Sequence, residues 1–418
     1  MISIMRNSFD FFKTGGVFLI TVVSFIFIGY FDYVYAQPVI NDPSLMAEIV
    51  VEELSSPTSM AFMDSNNILV LEKTGSVRLI SNGILQEQPV LNVPVDTESE
   101  RGLLGIATLE DDNTVFLYLT ESGETLRNRV YRYNWNGETL VNPTLILDLP
   151  AIPGPNHDGG KLVIGPDQYL YAIIGDLNHD GKLQNFLDGP EPDDTGVIFK
   201  VNPNDGSAAP NNPFVNSGDS VLSRYYAYGI RNSFGIAIDP ITNMLWDTEN
   251  GPGEYDEVNL VRPGFNSGWQ TVMGPISRSG ESVDDLVSFQ GSEYIDPIFS
   301  WQITPAVTDI EFLHSQKLGD KYANNIFVGD YNNGNIYYFE INEDRSGIKF
   351  DASQTGLIDL VADSEEESST IIFGSGFGSI TDIATGPDGF LYILSYDDGI
   401  IYRIAPSSNN QVAASLIS

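Results

Sequence analysis

Residues 386–393 read Gly-Pro-Asp-Gly-Phe-Leu-Tyr-Ile, a tight turn followed at once by an apolar and aromatic run. Pro, Asp and Gly in succession are typical of a tight turn. A short run of aromatic and branched residues after a turn is typical of a β-strand. An almost identical approach, Gly165-Pro166-Asp167, leads into Tyr169-Leu170-Tyr171-Ala172. The recurrence of one turn-and-strand unit at widely separated places indicates a repeat architecture.

Four further copies of this unit can be read from the chain, so the repeat occurs six times. The copies are Asn66–Leu71, Asn113–Tyr118, Asp167–Ala172, Asn243–Trp246, Asn325–Val328 and Asp388–Ile393. Their spacing of roughly 50 to 80 residues suits four strands each plus loops. The sequence therefore predicts an all-β fold, a six-bladed β-propeller of four-stranded antiparallel blades. We expect Ala47–Leu54 to complete the last blade and close the ring, which removes open sheet edges.

Composition agrees with this architecture and excludes several functions. The chain has 418 residues with 39 Gly and 23 Pro, which favours many turns over long helices. Its formal charge of −37 makes it an acidic protein, disfavours anionic membrane surfaces and makes nucleic-acid binding untenable. With no cysteine and only three histidines, disulfides, thiol nucleophiles and multi-histidine metal sites are ruled out, so redox chemistry would require a cofactor.

The N-terminus has the pattern of an export signal. Arg6 and Lys13 precede the uncharged apolar stretch Thr14–Phe31, and Val34-Tyr35-Ala36 is similar to a cleavage site. An uncleaved membrane anchor is the alternative, because this stretch just reaches the length that spans a bilayer. Either outcome places the remainder outside the cytoplasm, secreted or anchored to the outer face of the cytoplasmic membrane. We divide the chain into this segment (1–36), the propeller (37–405) and a C-terminal tail (406–418).

The first candidate for chemistry is a histidine close to an aspartate. His157 lies where a loop meets a predicted strand, and Asp176 follows the next strand. The two can meet across one hairpin, and a carboxylate against an imidazole fixes its tautomer and raises its basicity. The alternative is a histidine that merely hydrogen-bonds within a loop.

Arg231 and Asn232 form a second candidate, between Gly229 and Gly235. Arginine presents a fork of donors that suits a carboxylate or quinone oxygen. An arginine paired with one of the many acidic residues is the alternative.

A third segment, Asn250–Glu257 with Asn266 and Trp269 beyond it, offers carboxylates and loop carbonyls suited to Ca²⁺. It can also be a simple acidic turn. Asp176–Gly181 matches the opening of an EF-hand loop, but its twelfth position is Leu187 rather than glutamate. This second reading of Asp176 competes with its role beside His157.

Taken together, these segments resemble the soluble PQQ-dependent aldose (glucose/sorbosone) dehydrogenases, a family of six-bladed propellers. The resemblance covers most of residues 50–404. It runs through Leu71–Gly75, Arg101–Ala107, His157–Asp176, Val201–Gly206 and Tyr228–Trp269.

The resemblance implies a role for each candidate residue. His157 corresponds to the base that takes the proton of the sugar's anomeric hydroxyl, and Asp176 to the acid that orients it. The cofactor PQQ would be contacted by Arg231, Asn232, Asn156 and Asn250, and by Glu100 and Arg101 at its rim. The carbonyls of Gly251 and Pro252 would hold Ca²⁺ against the cofactor. Asp256, Glu257 and Asn266 are the further Ca²⁺ ligand candidates.

This sequence departs from the family at the cofactor's carboxylates. The better-known members use a lysine and two arginines from the last two blades, but the corresponding stretches, 330–334 and 377–382, contain no cation. Desolvated carboxylates need compensating charge, so the sequence predicts weak retention of PQQ.

We therefore expect an extracytoplasmic quinoprotein-type enzyme with His157, Asp176 and Arg231 as the catalytic residues. It would oxidise a sugar and pass electrons to an external acceptor, with membrane contact only through an uncleaved N-terminal segment. Two alternatives remain: a non-enzymatic, Ca²⁺-stabilised ectodomain that binds a protein or glycan, and a Ca²⁺-dependent lactonase.

Overall fold

A computed structural model of the chain describes residues 37–109, 113–351 and 354–407. The predicted signal or anchor at 1–36 lies outside the described residues, as does all of the predicted tail except residues 406 and 407. The division into three segments therefore stays a prediction. In the part that is described, no helix has the length and apolar character needed to cross a bilayer.

The described residues are built almost entirely from short strands. The first ten are β1 Val39–Ile40, β2 Leu45–Val51, β3 Pro57–Phe62, β4 Asn67–Glu72, β5 Ser76–Ser81, β6 Ile84–Leu85, β7 Leu91–Asn92, β8 Leu103–Leu109, β9 Thr114–Glu121 and β10 Arg127–Trp135. The next ten are β11 Leu140–Pro150, β12 Leu162–Ile164, β13 Leu170–Ile174, β14 Val197–Val201, β15 Tyr225–Tyr228, β16 Gly235–Ile238, β17 Leu245–Glu249, β18 Asp256–Val261, β19 Phe265–Asn266 and β20 Glu293–Tyr294. The last ten are β21 Phe299–Trp301, β22 Val307–Phe312, β23 Ile326–Asp330, β24 Asn335–Ile341, β25 Ile348–Lys349, β26 Val361–Ala362, β27 Ile372–Ser375, β28 Ile380–Thr385, β29 Leu391–Ser395 and β30 Ile400–Pro406.

Helices are short and confined to connections. They are α1 Ile276–Ser279 and α2 Glu365–Ser369, with single 3₁₀ turns at Lys182–Gln184, Leu222–Arg224, Val283–Asp285 and Thr355–Leu357. The expected scarcity of helix is confirmed for the described residues, and the fold is all-β.

The described strands pair into six sheets that follow one another along the chain. Sheet 1 contains β3–β7, sheet 2 contains β8–β11, and sheet 3 contains β12–β15 with β19 and β20. Sheet 4 contains β16–β18 with β21 and β26, sheet 5 contains β22–β25 with β27 and β1, and sheet 6 contains β28–β30 with β2. Each of the six predicted repeats supplies the second strand of one sheet, namely β4, β9, β13, β17, β23 and β29.

The expectation of uniform four-stranded antiparallel blades is wrong for most of these sheets. Only sheets 2 and 6 have four strands, whereas the others have five or six. The additional pairs β15–β19, β19–β20 and β21–β26 are parallel. They arise because segments between the main strands return to a sheet edge and satisfy its free backbone groups there.

The two ends of the described chain meet in one sheet. β2 pairs antiparallel with β30, from Leu45 opposite Pro406 to Val51 opposite Ile401. The predicted closing strand is thus confirmed, with bounds two to three residues earlier than expected.

The first strands of the six sheets lie side by side around a common centre. β3 contacts β8, β8 contacts β12, and the series continues through β16, β22 and β28 back to β3. Buried apolar clusters fill the spaces between neighbouring sheets; that between sheets 4 and 5 contains Trp246, Phe299, Trp301 and Tyr337. This arrangement confirms the propeller-like architecture and places the strand ends of every sheet around one axis.

An ion-paired lysine links several of these inner strands. Lys161, directly before β12, places Nζ 2.6 Å from Oδ2 of Asp309 on β22 and 2.6 Å from Oδ1 of Asp382 on β28. Asp382 also accepts hydrogen bonds from Ser59 Oγ and the Met60 backbone on β3. The cluster therefore ties sheets 1, 3, 5 and 6 together across the centre.

We predict that Lys161→Met destabilises the protein by about 3 to 5 kcal/mol, because it leaves two buried aspartates without their cation. Urea denaturation followed by circular dichroism measures the loss. The matched control is Lys182→Met, which removes the exposed pair with Glu191 and should change stability by less than about 1 kcal/mol. Equal effects of the two substitutions would contradict the central role of Lys161.

Candidate functional site

A cavity of about 350 Å³ opens at the centre of the ring. All six sheets or the loops before them contribute to its wall. The lining residues are Thr58, Ser59, Lys73, Ser99, Glu100, Leu104, Gly159, Lys161, Phe234, Asn250, Ala306, Thr308, Tyr331, Thr381 and Tyr396. A concave centre with a few polar groups on apolar walls is the usual form of a small-molecule site.

A glycine allows the three predicted catalytic segments to meet beside this cavity. A Cβ on Gly175 would lie 2.5 Å from both the His157 and the Arg231 carbonyl oxygens, so no side chain fits there. The Asp176 amide then donates to the Arg231 carbonyl at 2.8 Å. The end of β13 thus brings His157, Asp176 and Arg231 together, as the sequence predicted.

His157 is held by its predicted acid. Its Nδ1 lies 2.6 Å from Asp176 Oδ1, and both side chains are buried. The backbone of His157 has a φ of 67°, an unusual value for a residue with a side chain and one that is often found at functional sites. With the carboxylate on Nδ1, the imidazole carries its proton there, and Nε2, which makes no hydrogen bond to the described residues, is the basic nitrogen.

Asp176 is in turn fixed by Trp269. The indole Nε1 donates to Asp176 Oδ2 at 2.6 Å, and the Asn178 amide donates to Oδ1 at 2.7 Å. These bonds use both oxygens of Asp176 for orientation within the site. They favour its role beside His157 over the competing EF-hand reading.

Arg231 packs against the same tryptophan. Its guanidinium carbon lies 5.2 Å from the centre of the Trp269 ring, and Nη1 donates to the Asn250 carbonyl at 2.9 Å. Nε is buried and has no hydrogen-bond partner in the described part of the chain. A buried unpartnered donor is costly unless a ligand satisfies it.

The remaining predicted cofactor contacts lie around this centre. Glu100 Oε2 accepts from the His157 amide at 2.6 Å and from Asn232 Nδ2 at 3.1 Å. Asn156 Oδ1 accepts from the hydroxyl of Ser99, and Asn250 Nδ2 donates to the Val307 carbonyl at 2.7 Å. Glu100 and Asn250 line the cavity itself.

Arg101 occupies a different environment. Its Nη2 donates to the Ala151 carbonyl at 2.6 Å, and its Nη1 lies 3.3 Å from Glu98 Oε2. The side chain is buried, and both of its terminal nitrogens are engaged by the protein. We therefore leave Arg101 out of the contacts proposed below.

The predicted metal ligands bind mostly to backbone amides. Asp256 accepts from the amides of Gly251, Ala306 and Val307, which pins the loop carrying Gly251 and Pro252 against the next sheet. Asn266 bonds to Asn185 and to the Gly268 amide. Within the described ranges, no group of three or more acidic or histidine side chains is arranged to hold a metal ion.

Four polar side chains nevertheless form a buried face beside these ligands. Asp247 lies opposite Asn259, and Glu249 lies opposite Glu257, on strands β17 and β18. Burial raises the pKa of Asp247 and Glu257 well above their ordinary values, and that of Glu249 to about 7. Neither oxygen of Asp247 has a hydrogen-bond partner among the described residues. A bound cation would offset the negative charge of this face and so stabilise it.

Two contributors to the site were not among the candidate residues of the sequence analysis. Glu249, whose Oε1 accepts from the Arg231 amide at 2.6 Å, and Lys73 in the cavity wall were both overlooked as functional residues. Strand alternation places Asp247 and Glu249 on one face, and this was the available signal for the buried cluster. The contacts of Lys73 depend on packing between sheets 1 and 2, which no local pattern encodes.

Comparison with known proteins gives a consistent result. The family described as Glucose / Sorbosone dehydrogenase matches residues 54–403. The chain is 26% identical to the aldose sugar dehydrogenase YliI of Escherichia coli K12 over 86% of this chain and 92% of that protein. It is 30% identical to quinoprotein glucose dehydrogenase B of Acinetobacter calcoaceticus over 56% of this chain and 54% of that protein. The PQQ-bound aldose sugar dehydrogenase of Streptomyces coelicolor shares the fold, with a TM-score of 0.64 and 23% identity over 87% of this chain and 99% of that one.

Next to His157, Asp158 is buried, and burial raises its pKa from 3.8 to about 7 despite a hydrogen bond from Asn128. Between these two pH values the folded protein keeps a proton that the unfolded chain has lost, so stability should fall as pH rises. We predict that Asp158 contributes about 2 kcal/mol to the loss of stability between pH 5 and pH 7, and that Asp158→Asn removes this contribution. Urea denaturation at both pH values measures it.

The control for this prediction is Asp188→Asn in an exposed loop, which should leave the change of the free energy of unfolding with pH the same as in wild type. A pH slope that is the same with and without Asp158 would contradict the prediction.

Proposed function

Because the chain belongs to the glucose/sorbosone dehydrogenase family, we propose that it is a quinoprotein-type oxidoreductase that oxidises the anomeric hydroxyl of an aldose or related sugar. We also infer that its six sheets are the blades of one propeller with the reaction at the axis. The observation that carries the proposal is the buried pair His157 Nδ1–Asp176 Oδ1 at 2.6 Å, which leaves Nε2 as a base.

The residues present fit an acidic quinone such as PQQ. Arg231 Nε and Asn232 Oδ1 are buried without hydrogen-bond partners in the described part of the chain, so both are available to a ligand. Asn250 and Glu100, which line the cavity, are their direct neighbours: Arg231 donates to the Asn250 carbonyl and Asn232 to Glu100. The relatives named above include a quinoprotein and a PQQ-bound enzyme, which supports the same cofactor class for this chain.

In this proposal the protein supplies a base, its orientation and a positive charge. His157 Nε2 takes the proton of the sugar hydroxyl, and Asp176 stabilises the imidazolium that forms. Trp269 holds Asp176 in place, and Arg231 stabilises negative charge that develops on the neighbouring ligand. The quinone, when bound, supplies the hydride acceptor that no side chain can provide.

Calcium is the metal we propose for this site. The carbonyls of Gly251 and Pro252 would contact the ion next to the cofactor, on a loop that Asp256 holds rigid. A second ion would be coordinated by Glu257 together with backbone carbonyls, the hard oxygen ligands that Ca²⁺ prefers, and would offset the negative charge of Asp247 and Glu249 nearby.

We further propose that the enzyme works outside the cytoplasm and passes electrons to an external acceptor. Support comes from the apolar stretch Thr14–Phe31 with its flanking charges. A non-enzymatic binding module and a Ca²⁺-dependent lactonase are the competing functions. The module would need no open cavity, and the lactonase would need no quinone.

We predict that wild-type protein reconstituted with PQQ and Ca²⁺ reduces an artificial dye in the presence of an aldose. His157→Ala should lower kcat/KM by at least about a hundredfold, since a positioned base contributes about 10² to 10⁴ in rate. Trp269→Phe keeps the ring beside Arg231 but loses the bond to Asp176, and should give an intermediate loss. Steady-state dye reduction measures both effects.

The control for this assay is His314→Ala, which alters an exposed histidine far along the chain and should leave turnover unchanged. Turnover without PQQ, or no quinone binding at micromolar concentration, would overturn the dehydrogenase proposal. Hydrolysis of a lactone that requires only Ca²⁺ would favour the lactonase.

We also predict that Ca²⁺ stabilises the protein through the buried carboxylates. At a concentration 100 times its Kd, one bound ion adds about 2.7 kcal/mol, seen as a higher melting temperature that EDTA reverses. Glu257→Gln should remove most of this gain, whereas Glu254→Gln, an exposed neighbour, should retain it. An equal gain in both variants would contradict this assignment.

A further inference from the structure

Lys73 is an unusual cation for so acidic a chain. Most described lysines and arginines form ion pairs, and those with no carboxylate oxygen within 4.0 Å in the described ranges are Lys73, Arg132, Arg231, Arg262 and Lys317. Of these, only Lys73 lines the central cavity. No carboxylate of the described residues lies within 4.0 Å of its Nζ, although Glu100 lines the same wall, so the charge of Lys73 is available to an anionic ligand.

The other lysine of the cavity wall is not free to bind an anion. Lys161 Nζ lies 2.6 Å from both Asp309 and Asp382, so its charge is already neutralised within the protein. An anion would therefore gain little from approaching Lys161.

Hydroxyl groups near Lys73 have their protons engaged elsewhere. Thr58 Oγ1 donates to the Leu103 carbonyl at 2.7 Å, Ser59 Oγ donates to Asp382 at 2.8 Å, and Thr381 Oγ1 donates to the Pro57 carbonyl at 2.9 Å. A hydroxyl has one proton to donate, so none of these three has a proton left for a hydrogen bond to a carboxylate of the ligand. The ammonium of Lys73 adds a charged donor to this part of the wall.

The position of Lys73 is defined by its surroundings. Its Nζ donates to the Ser99 carbonyl, and its stem lies against Gly102, where a Cβ would stand 2.7 Å from Lys73 Cγ. Ser99 in turn donates to Asn156, beside His157. One of the three ammonium protons is thus used for positioning, and two remain for a ligand.

We propose that Lys73 is an anion-binding residue of the cavity and holds a carboxylate of the acidic quinone cofactor. This inference rests on the proposed function, and it assigns to sheet 1 a charge that the sequence leaves absent from residues 330–334 and 377–382. A charge-assisted hydrogen bond in a partly desolvated cavity is stronger than a neutral one, so a single lysine can contribute substantially.

The test is the affinity for PQQ, measured in the presence of Ca²⁺ by quenching of intrinsic fluorescence, with no turnover required. Lys73→Gln, which keeps a donor for Ser99 but removes the charge, should weaken Kd at least tenfold. Lys73→Arg should remain within about threefold of wild type because it keeps the charge. Lys317→Gln removes an exposed unpaired lysine and is the matched control, with no expected change.

The trimethyl ester of PQQ separates charge recognition from loop positioning. Wild type should bind the ester at least tenfold more weakly than the acid, and Lys73→Gln should bind both with similar affinity. If the variant weakens acid and ester equally, Lys73 only positions the loop and the proposal is overturned. The same holds if Lys73→Gln leaves the affinity for the acid unchanged.

Failure of wild type to bind PQQ at all would instead reject the proposed function, and with it this role of Lys73. Circular dichroism checks that Lys73→Gln is folded, and Lys73→Arg keeps the proposal falsifiable if it is not: a folded Lys73→Arg that loses the preference for the acid would overturn it.

Discussion

The inner strands of the six sheets face one another, and the ion cluster of Lys161, Asp309 and Asp382 stands where they meet. Backbone hydrogen bonds hold each sheet together internally, but they cannot specify how one sheet sits against the next. Apolar packing between sheets is adaptable, whereas a buried lysine between two aspartates has few acceptable geometries. The site is built on these inner strands, so its geometry depends on that cluster being satisfied.

Local sequence was sufficient to identify the repeats because each repeat begins with turn-forming residues, whose effect on the backbone extends over only a few residues. Asp388-Gly389 before β29 and Asp167-Gln168 before β13 are examples, and both turns lead directly into the second strand of a sheet. The closing strand could be predicted because a ring must join its ends. By contrast, β19, β20 and β26 are two-residue strands that exist only because an edge is already present to receive them. No propensity within two residues could reveal them.

The site shows the same division between local and long-range information. His157 and Asp176 lie on either side of one hairpin, so their contact could be inferred from chain order, and Gly175 between them and Arg231 permits it. Trp269 is 93 residues from Asp176, yet its indole bond fixes the acid that orients the base. Arg101, which opens the block Arg101–Ala107 of the family resemblance, bonds instead to the Ala151 carbonyl and pairs with Glu98. Contacts of this kind follow from packing between sheets.

Charge distribution connects the fold to the proposed chemistry. In a chain with 57 acidic and 20 basic residues, an arginine or lysine close to a carboxylate is the default outcome. Arg231 instead packs on Trp269 and donates to a backbone carbonyl, and Lys73 instead donates to the Ser99 carbonyl. A carbonyl partner fixes a cation without neutralising it. Two cations beside one cavity are thus left without a close carboxylate, which offers an anionic cofactor positive partners even though residues 330–334 and 377–382 supply none.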